Sequence, residues 1–270
     1  MVDKQSMAGE DSQKPIVAKI GGGALGEGDT LFSDLVSLQR DGRPMVVVHG
    51  GGNLISRWQK LHGIEARFIR GLRVTDGPGL EVATAVLAGL VNKELVASIQ
   101  GAGGRVVGLS GVDGGIIQAE VSDPDLGYVG SITAIDPRPL KLLMAEGYLP
   151  VLSPIASQSK NEAEGWRGLL NVNADTAAAE VASALGARRL IYLTDVPGVL
   201  DGHGEVVPQL PADEARKLIA DGTIAGGMIP KVEACLRAAE SSLESVIIDG
   251  RRPHALLEAV EGRGPGTRFG

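Results

Sequence analysis

This chain has almost no means of covalent cross-linking. Its one cysteine, Cys235, rules out an intrachain disulfide, and this pattern fits a cytoplasmic protein. The thiol sits within "KVEACLRAAE", a helical pattern in which a lone cysteine serves packing. Aromatic residues are also scarce, at 3%. An interior of alanine, valine, leucine and glycine instead suits helices packed closely on parallel strands. Cationic residues are outnumbered, 26 Lys and Arg against 33 Asp and Glu. The resulting charge of −7 argues against a nucleic-acid surface, yet leaves room for an anionic ligand held by a few local cations. No unbroken apolar run approaches the ~18 residues of a membrane span, so no membrane association is expected. The N-terminal "MVDKQSMAGEDSQK" lacks an apolar signal region, and residues 1–14 are expected to be disordered.

Short apolar runs alternate with longer helical patterns. Strands are expected at 15–20, 44–52, 105–111, 149–155, 189–195 and 244–250. Helices are expected at about 30–41, 53–62, 79–101, 137–146, 173–185, 212–221 and 228–240. All-apolar strands separated by helices imply an α/β fold with a mainly parallel sheet covered on both faces. Segment 115–135 alternates more weakly and reads as a small antiparallel excursion. No linker splits the chain, so residues 15–270 are read as one domain, in two lobes of one sheet.

Two triple glycines, Gly21–Gly23 and Gly50–Gly52, each follow a strand and precede a helix. Such a turn presents unpaired backbone N–H groups and the positive end of a helix dipole, a setting for phosphate or carboxylate. Neither turn fits the Walker pattern, and no acidic residue ends a second strand where a dinucleotide-binding fold needs one. Lys19 lies inside the apolar strand "IVAKI", and Lys231 follows the glycine-rich "AGGMIP". Either alone could be a solvated lysine. Together, beside glycine-rich anion sites, they could clamp a transferring phosphoryl group. In "LLNVNADTAAAEVASALGA" the polar residues Asn171, Asn173 and Asp175 stand at the mouth of an apolar helix. One of them can cap the helix. A carboxylate at Asp175 could hold two repelling lysines, and Asn171 could meet an amide or carboxylate. Arg73, between Leu72 and Val74, suits bidentate recognition of a carboxylate, whereas Arg70 reads as solvated.

The motifs "KIGGGAL", "VVVHGGG", "GLRVTD", "LAGLVNKELV", "GLSGVDG", "LLNVNADTAA", "YLTDVPGVLDG" and "GMIPKVEAC" resemble, in that order, those of the N-acetylglutamate kinases. These form a branch of the amino-acid kinase family. The resemblance covers about 16–269 and implies the family's three-layer αβα sandwich. It implies ATP-dependent phosphorylation of the γ-carboxylate of N-acetyl-L-glutamate, in arginine biosynthesis. By resemblance, Lys19 stabilises the transferring phosphoryl group, Lys231 the leaving ADP, and Asp175 organises both. Gly51 and Gly52 are backbone donors facing the reacting carboxylate and γ-phosphate, with Gly22 on the first loop. Arg73 and Asn171 grip the substrate's α-carboxylate and acetamido end. The nucleotide lies over Asp195, Val196, Pro197, Gly198, Val199 and Leu200, and over Thr223, Ile224 and Ala225. The N-lobe, about 15–170, binds the amino acid and the C-lobe, about 171–270, binds ATP. Magnesium rides on ATP, with no dedicated metal ligands in the chain. His49 is left as a structural hydrogen-bonding residue.

The chain departs from the family pattern in places. Gly23 stands where relatives usually carry a small polar or bulkier residue, and Leu90 where many carry lysine. Leu90 also occurs in a sister branch acting on aminoadipate or glutamate attached to an amino-group carrier protein. That branch remains the alternative, although it usually lacks "NVNAD". A non-catalytic amino-acid or nucleotide sensor on the same fold is the remote reading, against which both lysines and Asp175 are present. Segment 249–267 resembles the arginine-binding segment of feedback-inhibited members, with His254, Glu258 and Gly266 in matching places. The N-terminal segment shows no apolar stripe of the kind that links their dimers into hexamers. The expectation is therefore a homodimer, joined through helix 79–101, with weak or no inhibition by arginine.

Overall fold

The computed structural model describes residues 13–23, 30–158 and 168–270. Most of the N-terminal segment expected to be disordered, residues 1–12, lies outside the described residues.

Six strands run parallel. They are β1 (Ile16–Ile20), β2 (Met45–His49), β5 (Val106–Ser110), β8 (Leu149–Ser153), β11 (Arg189–Thr194) and β12 (Glu244–Asp249). With the antiparallel β13 (Thr267–Phe269) they form one sheet, in the order β13-β12-β11-β1-β2-β8-β5. Every residue of β1, β2 and β8 is buried, as expected of valine- and isoleucine-rich strands covered on both faces. Helices α1 (Leu31–Arg40), α3 (Gly77–Gly101) and α8 (Ala255–Val260) bury one face together with Ile16, Ala18 and Ile20. Helices α5 (Ala174–Leu185) and α7 (Met228–Glu240) cover the other face, with Val17 and Tyr192. Strand alternation thus puts Lys19 on the α5 side. These are the three layers of an αβα sandwich. The sheet runs unbroken through both halves of the chain, from β5 to β13.

The expected strand 149–155 is two strands. Pro154 lacks an N–H and cannot continue the ladder, so β8 ends at Ser153 and β9 (Ile155–Gln158) joins a different sheet. There it meets β6 (Ile117–Val121), β7 (Val129–Ile135) and β10 (Leu169–Val172) in a small closed barrel. The antiparallel excursion at 115–135 is the β6–β7 part of that barrel. A hairpin, β3 (Phe68–Ile69) and β4 (Leu72–Arg73), turns at Arg70 and Gly71, whose φ values of 50° and 79° make the tight two-residue turn.

One helix is nevertheless long enough, and apolar enough on average, to cross a membrane, although charges break its apolar runs. Helix α3 has 25 residues, and an 18-residue window within it reaches mean hydropathy 1.5, enough by length and composition alone. Its charges, Glu81, Lys93 and Glu94, interrupt every apolar run without lowering that average much. Buried Leu95 and Ile99 pack the helix into the sandwich, but only 33% of the window is buried. Residues Ala85–Val91 of α3 are wound as a π-helix.

Candidate active site

β1 and β2 end side by side, and β11 flanks β1 on its other edge. The chain leaves β1 in one direction along the sheet to β2 and returns on the other side as β11. Such a switch point opens a crevice at the strands' C-terminal ends. The Gly21 N–H donates to Leu193 O, and the Gly50 N–H donates to Ile20 O. Both glycine turns are thereby stitched to their neighbours before they enter the crevice.

Lys19 and Lys231 meet there. Both Nζ atoms lie on the same oxygen, Asp175 Oδ1, at 2.8 Å and 2.9 Å. Exposures of 6%, 7% and 7% for Lys19, Asp175 and Lys231 mean that a net positive charge is held away from water. That is costly unless an anion completes the site. Burial lowers the Lys19 pKa below its usual value, opposed by Asp175 and reinforced by Lys231. Burial alone would raise Asp175, but the two ammonium groups outweigh it and the carboxyl stays below its usual value. The aspartate is therefore ionised.

The polar mouth of α5 now divides its duties. Asn173 is the cap, accepting from the Asp175 and Thr176 N–H groups. Asp175 is thus fixed in the first helical turn, above β1. The fully buried Tyr192, paired with Lys19 across β1 and β11, donates its hydroxyl to Asp175 O at 3.0 Å. Its ring centroid lies 5.3 Å from Lys231 Nζ, a cation–π contact.

Arg73 projects from the hairpin toward α2 (Gly52–Leu61). Its guanidinium donates to Gln59 Oε1, Ser56 Oγ and Gly52 O, and stacks on Phe68. Asn171 donates to Thr75 Oγ1. Gly51 caps α2, where a Cβ would sit 2.8 Å from Leu87 Cδ2 and would force that side chain to move. Lys19, Gly51, Gly52, Arg73, Asn171 and Asp175 border one cavity of about 210 Å³, with Ile55, Leu87 and Val129 as apolar wall. A second cavity, about 380 Å³, is bordered by Gly23, Asp195, Val196, Gly227, Met228 and Lys231. The two share Lys19, Gly22 and Gly52, so Lys19 stands where the cavities join and Lys231 borders the second.

Of the segments expected to hold a nucleotide, Asp195 and Val196 border the second cavity. Pro197, Gly198 and Leu200 continue past it, as do the exposed Thr223 and Ala225. Val199 and Ile224 are core residues at 1% and 2% exposure, so their side chains face the interior rather than a ligand. Sequence reasoning missed Gln59, Ser56 and Thr75, which hold Arg73 and Asn171, and it missed Tyr192. Their signal is spacing alone: Ser56 and Gln59 lie on one face of α2, three residues apart. His254 and Glu258 lie far along the chain from this site. His254 bonds to Thr30 and Asp34, and Glu258 to Arg252. Among the described residues no cluster of three or more His, Cys, Asp or Glu is arranged to hold a metal ion.

The same architecture recurs in known proteins. The chain is 41% identical to an acetylglutamate kinase of Dehalococcoides mccartyi over 254 residues, 94% of this chain and 93% of that one. It is 46% identical to an acetylglutamate kinase of Bradyrhizobium diazoefficiens over 273 aligned positions, 94% of this chain and 90% of the relative. A crystal structure from Streptococcus mutans UA159 superposes with a TM-score of 0.80 at 32% identity, over 87% of this chain and 94% of that one. The sequence profile described as the amino acid kinase family matches residues 14–249. With a near-complete profile match and full-length relatives above 40% identity, the chain belongs to the amino acid kinase family.

Proposed function

We propose that the chain transfers the γ-phosphoryl group of ATP to the γ-carboxylate of N-acetyl-L-glutamate, forming N-acetyl-L-glutamyl 5-phosphate for arginine biosynthesis. One observation carries the reading: two buried lysines share one carboxylate oxygen, and one of them, Lys19, borders both cavities. The near-full-length likeness to acetylglutamate kinases supports the choice of substrate.

The acid enters the smaller cavity, its α-carboxylate and acetamido group against Arg73 and Asn171. ATP enters the larger one, its phosphates reaching Gly22 and the lysines. The nucleophile is a carboxylate, already ionised at neutral pH, so no general base is needed. A γ-carboxylate oxygen attacks the γ-phosphorus, the bond to the β-phosphate oxygen breaks, and ADP leaves with that electron pair. Lys19 neutralises the transferring group and Lys231 the leaving oxygen, while Asp175 keeps both in place. Magnesium carried on ATP would supply further positive charge to the phosphate oxygens. Asp195, which borders the larger cavity, is the carboxylate that would face the ion's water shell.

The protein acts in the cytoplasm as a homodimer. α3 leaves Val82, Ala85, Ala88 and Leu90 partly or fully exposed, and Gly89 faces open space. A second copy of the same helix would cover that face. ADP release measured with N-acetylglutamate, glutamate, aspartate, aminoadipate and carrier-linked aminoadipate tests the substrate. Preference for N-acetylglutamate by at least tenfold in kcat/KM is expected. Preference for the carrier-linked acid would move the chain to the sister branch.

A further inference from the structure

His49 ends β2, immediately before the glycine turn, and the phosphoryl-transfer scheme gives it no task. It is nevertheless buried at 1% exposure, with both ring nitrogens engaged. Nδ1 lies 2.9 Å from Gly50 O, and Nε2 lies 3.2 Å from Asn92 Nδ2. A carbonyl can only accept, so Nδ1 carries the proton and donates. Asn92, fully buried in α3, also directs Nδ2 at Val151 O and Leu109 O, which can only accept, so its amide is oriented with the donor toward His49. Nε2 therefore faces a donor and carries the lone pair, sharing one of the two Nδ2 hydrogens with a carbonyl, and the ring is a neutral, singly protonated tautomer. Burial pushes the His49 pKa down to about 4, with Lys19 and Lys93 adding to the shift, so the tautomer holds at neutral pH.

The consequence follows from the peptide bond. Gly50 C=O and Gly51 N–H belong to one planar unit, and no peptide bond is cis among the described residues. In a trans peptide these two groups point in opposite directions. A carbonyl drawn toward His49 turns the Gly51 N–H away from it. Gly51 borders the smaller active-site cavity, and among the described residues its N–H has no hydrogen-bond partner within the protein. The Gly50 N–H is tied to Ile20 O, which fixes the preceding peptide as well. Leu87 and Val91, from the π-wound stretch of α3, close on Gly51 from the side.

We infer that His49, oriented by Asn92, is a positioning residue that sets the Gly50–Gly51 peptide plane, so that the Gly51 N–H is aimed at the anion in the transition state. This rests on the phosphoryl-transfer reading of the same site.

Two substitutions separate positioning from mere packing. Asparagine carries an amide nitrogen where histidine has Nδ1, so His49→Asn can still donate to Gly50 O but abandons Asn92 and leaves a gap. Glutamine carries its amide near the Nε2 position, so His49→Gln fills the space and keeps Asn92 but loses the Gly50 bond. The expected order is opposite in the two readouts. His49→Gln keeps the higher Tm yet loses roughly 10-fold or more in kcat, with KM for both substrates changing less. His49→Asn melts lower yet keeps kcat within about 3-fold of the parent, because its donor is retained. If activity follows stability instead, or if His49→Gln turns over normally, the inference is overturned; the Gln variant alone decides this if the Asn variant fails to fold. The unsubstituted protein runs in the same assay. If it does not phosphorylate N-acetylglutamate, the proposed function fails, which is a separate outcome.

Discussion

At the residue scale, the site is an electrostatic device built from three charges. Its energetics turn on the shared oxygen Asp175 Oδ1. Replacing Lys19 or Lys231 by alanine removes charge that matters most as the phosphoryl group transfers. Each variant is expected to lose about 10²-fold or more in kcat while remaining folded; steady-state kinetics beside a thermal melt check this. The lowered pKa of Lys19 has a definite pH signature. The active form is the ammonium, so activity falls as pH rises through the Lys19 pKa, and that pKa lies below 10.5, the ordinary lysine value. In kcat/KM, which reports the free enzyme, the alkaline limb should therefore appear early. In kcat it should move to higher pH, because bound phosphates favour the charged form. Asp175→Asn removes the opposing carboxylate and should shift the free-enzyme limb lower still; an unmoved limb would contradict this electrostatic account. Arg73 works through geometry. Lysine cannot reproduce its fork to Gln59, Ser56 and Gly52, so Arg73→Lys should raise KM for the acid by about 10-fold and leave KM for ATP nearly unchanged. Lys19, Lys231, Asp175, Asn171 and Arg73 could be singled out in the sequence because charge or polarity interrupts an apolar context. Tyr192 could not, since a tyrosine in "RLIYLTD" looks like one more core residue.

At the element scale, α5 shows how one short segment carries two functions. Its alanines let it lie close on β1, and Asn173 closes its first turn. Asn173→Ala is expected to cost ~1 kcal/mol, seen as a Tm drop of about 2–4 °C. Because the same cap holds the Asp175 N–H, kcat should fall with it. A loss of Tm with unchanged kcat would show that Asp175 is oriented by its lysines alone. The core strands were legible as short all-apolar runs ended by glycine or polar residues, and the helices as longer runs of helical period. The barrel was not. β9 and β10 hold four residues each, too few for a period to declare itself, and only Pro154 hints that the chain changes sheets. The β3–β4 hairpin escaped for the same reason, with two residues in each strand.

At the scale of the whole molecule, α3 links the active site to the outer surface. Its inner face holds Asn92 and Leu87 against the glycine turn, and its outer face is apolar and open. A Cβ at Gly89 meets nothing within 4 Å in the single chain, so the fold should tolerate Gly89→Glu. In a dimer joined through this helix, two buried carboxylates would face each other. Light scattering should then report a monomer for the variant and a dimer for the parent protein. A variant that remains dimeric would place the interface elsewhere.

The sequence by itself determined the layered α/β fold, since buried strands and amphipathic helices differ in period wherever a run is long enough. It also determined which charges are out of place, because a lysine inside an apolar strand is anomalous wherever that strand lies in the fold. Only the tertiary structure decided what those charges do to one another. The lysines lie more than two hundred residues apart, and their meeting on one oxygen of Asp175 depends on β1, α5 and α7 arriving at the same crevice. It likewise decided which groups His49 meets. A hydrogen bond to a neighbouring carbonyl acts through the plane of one peptide, and no composition or spacing records which way that plane faces.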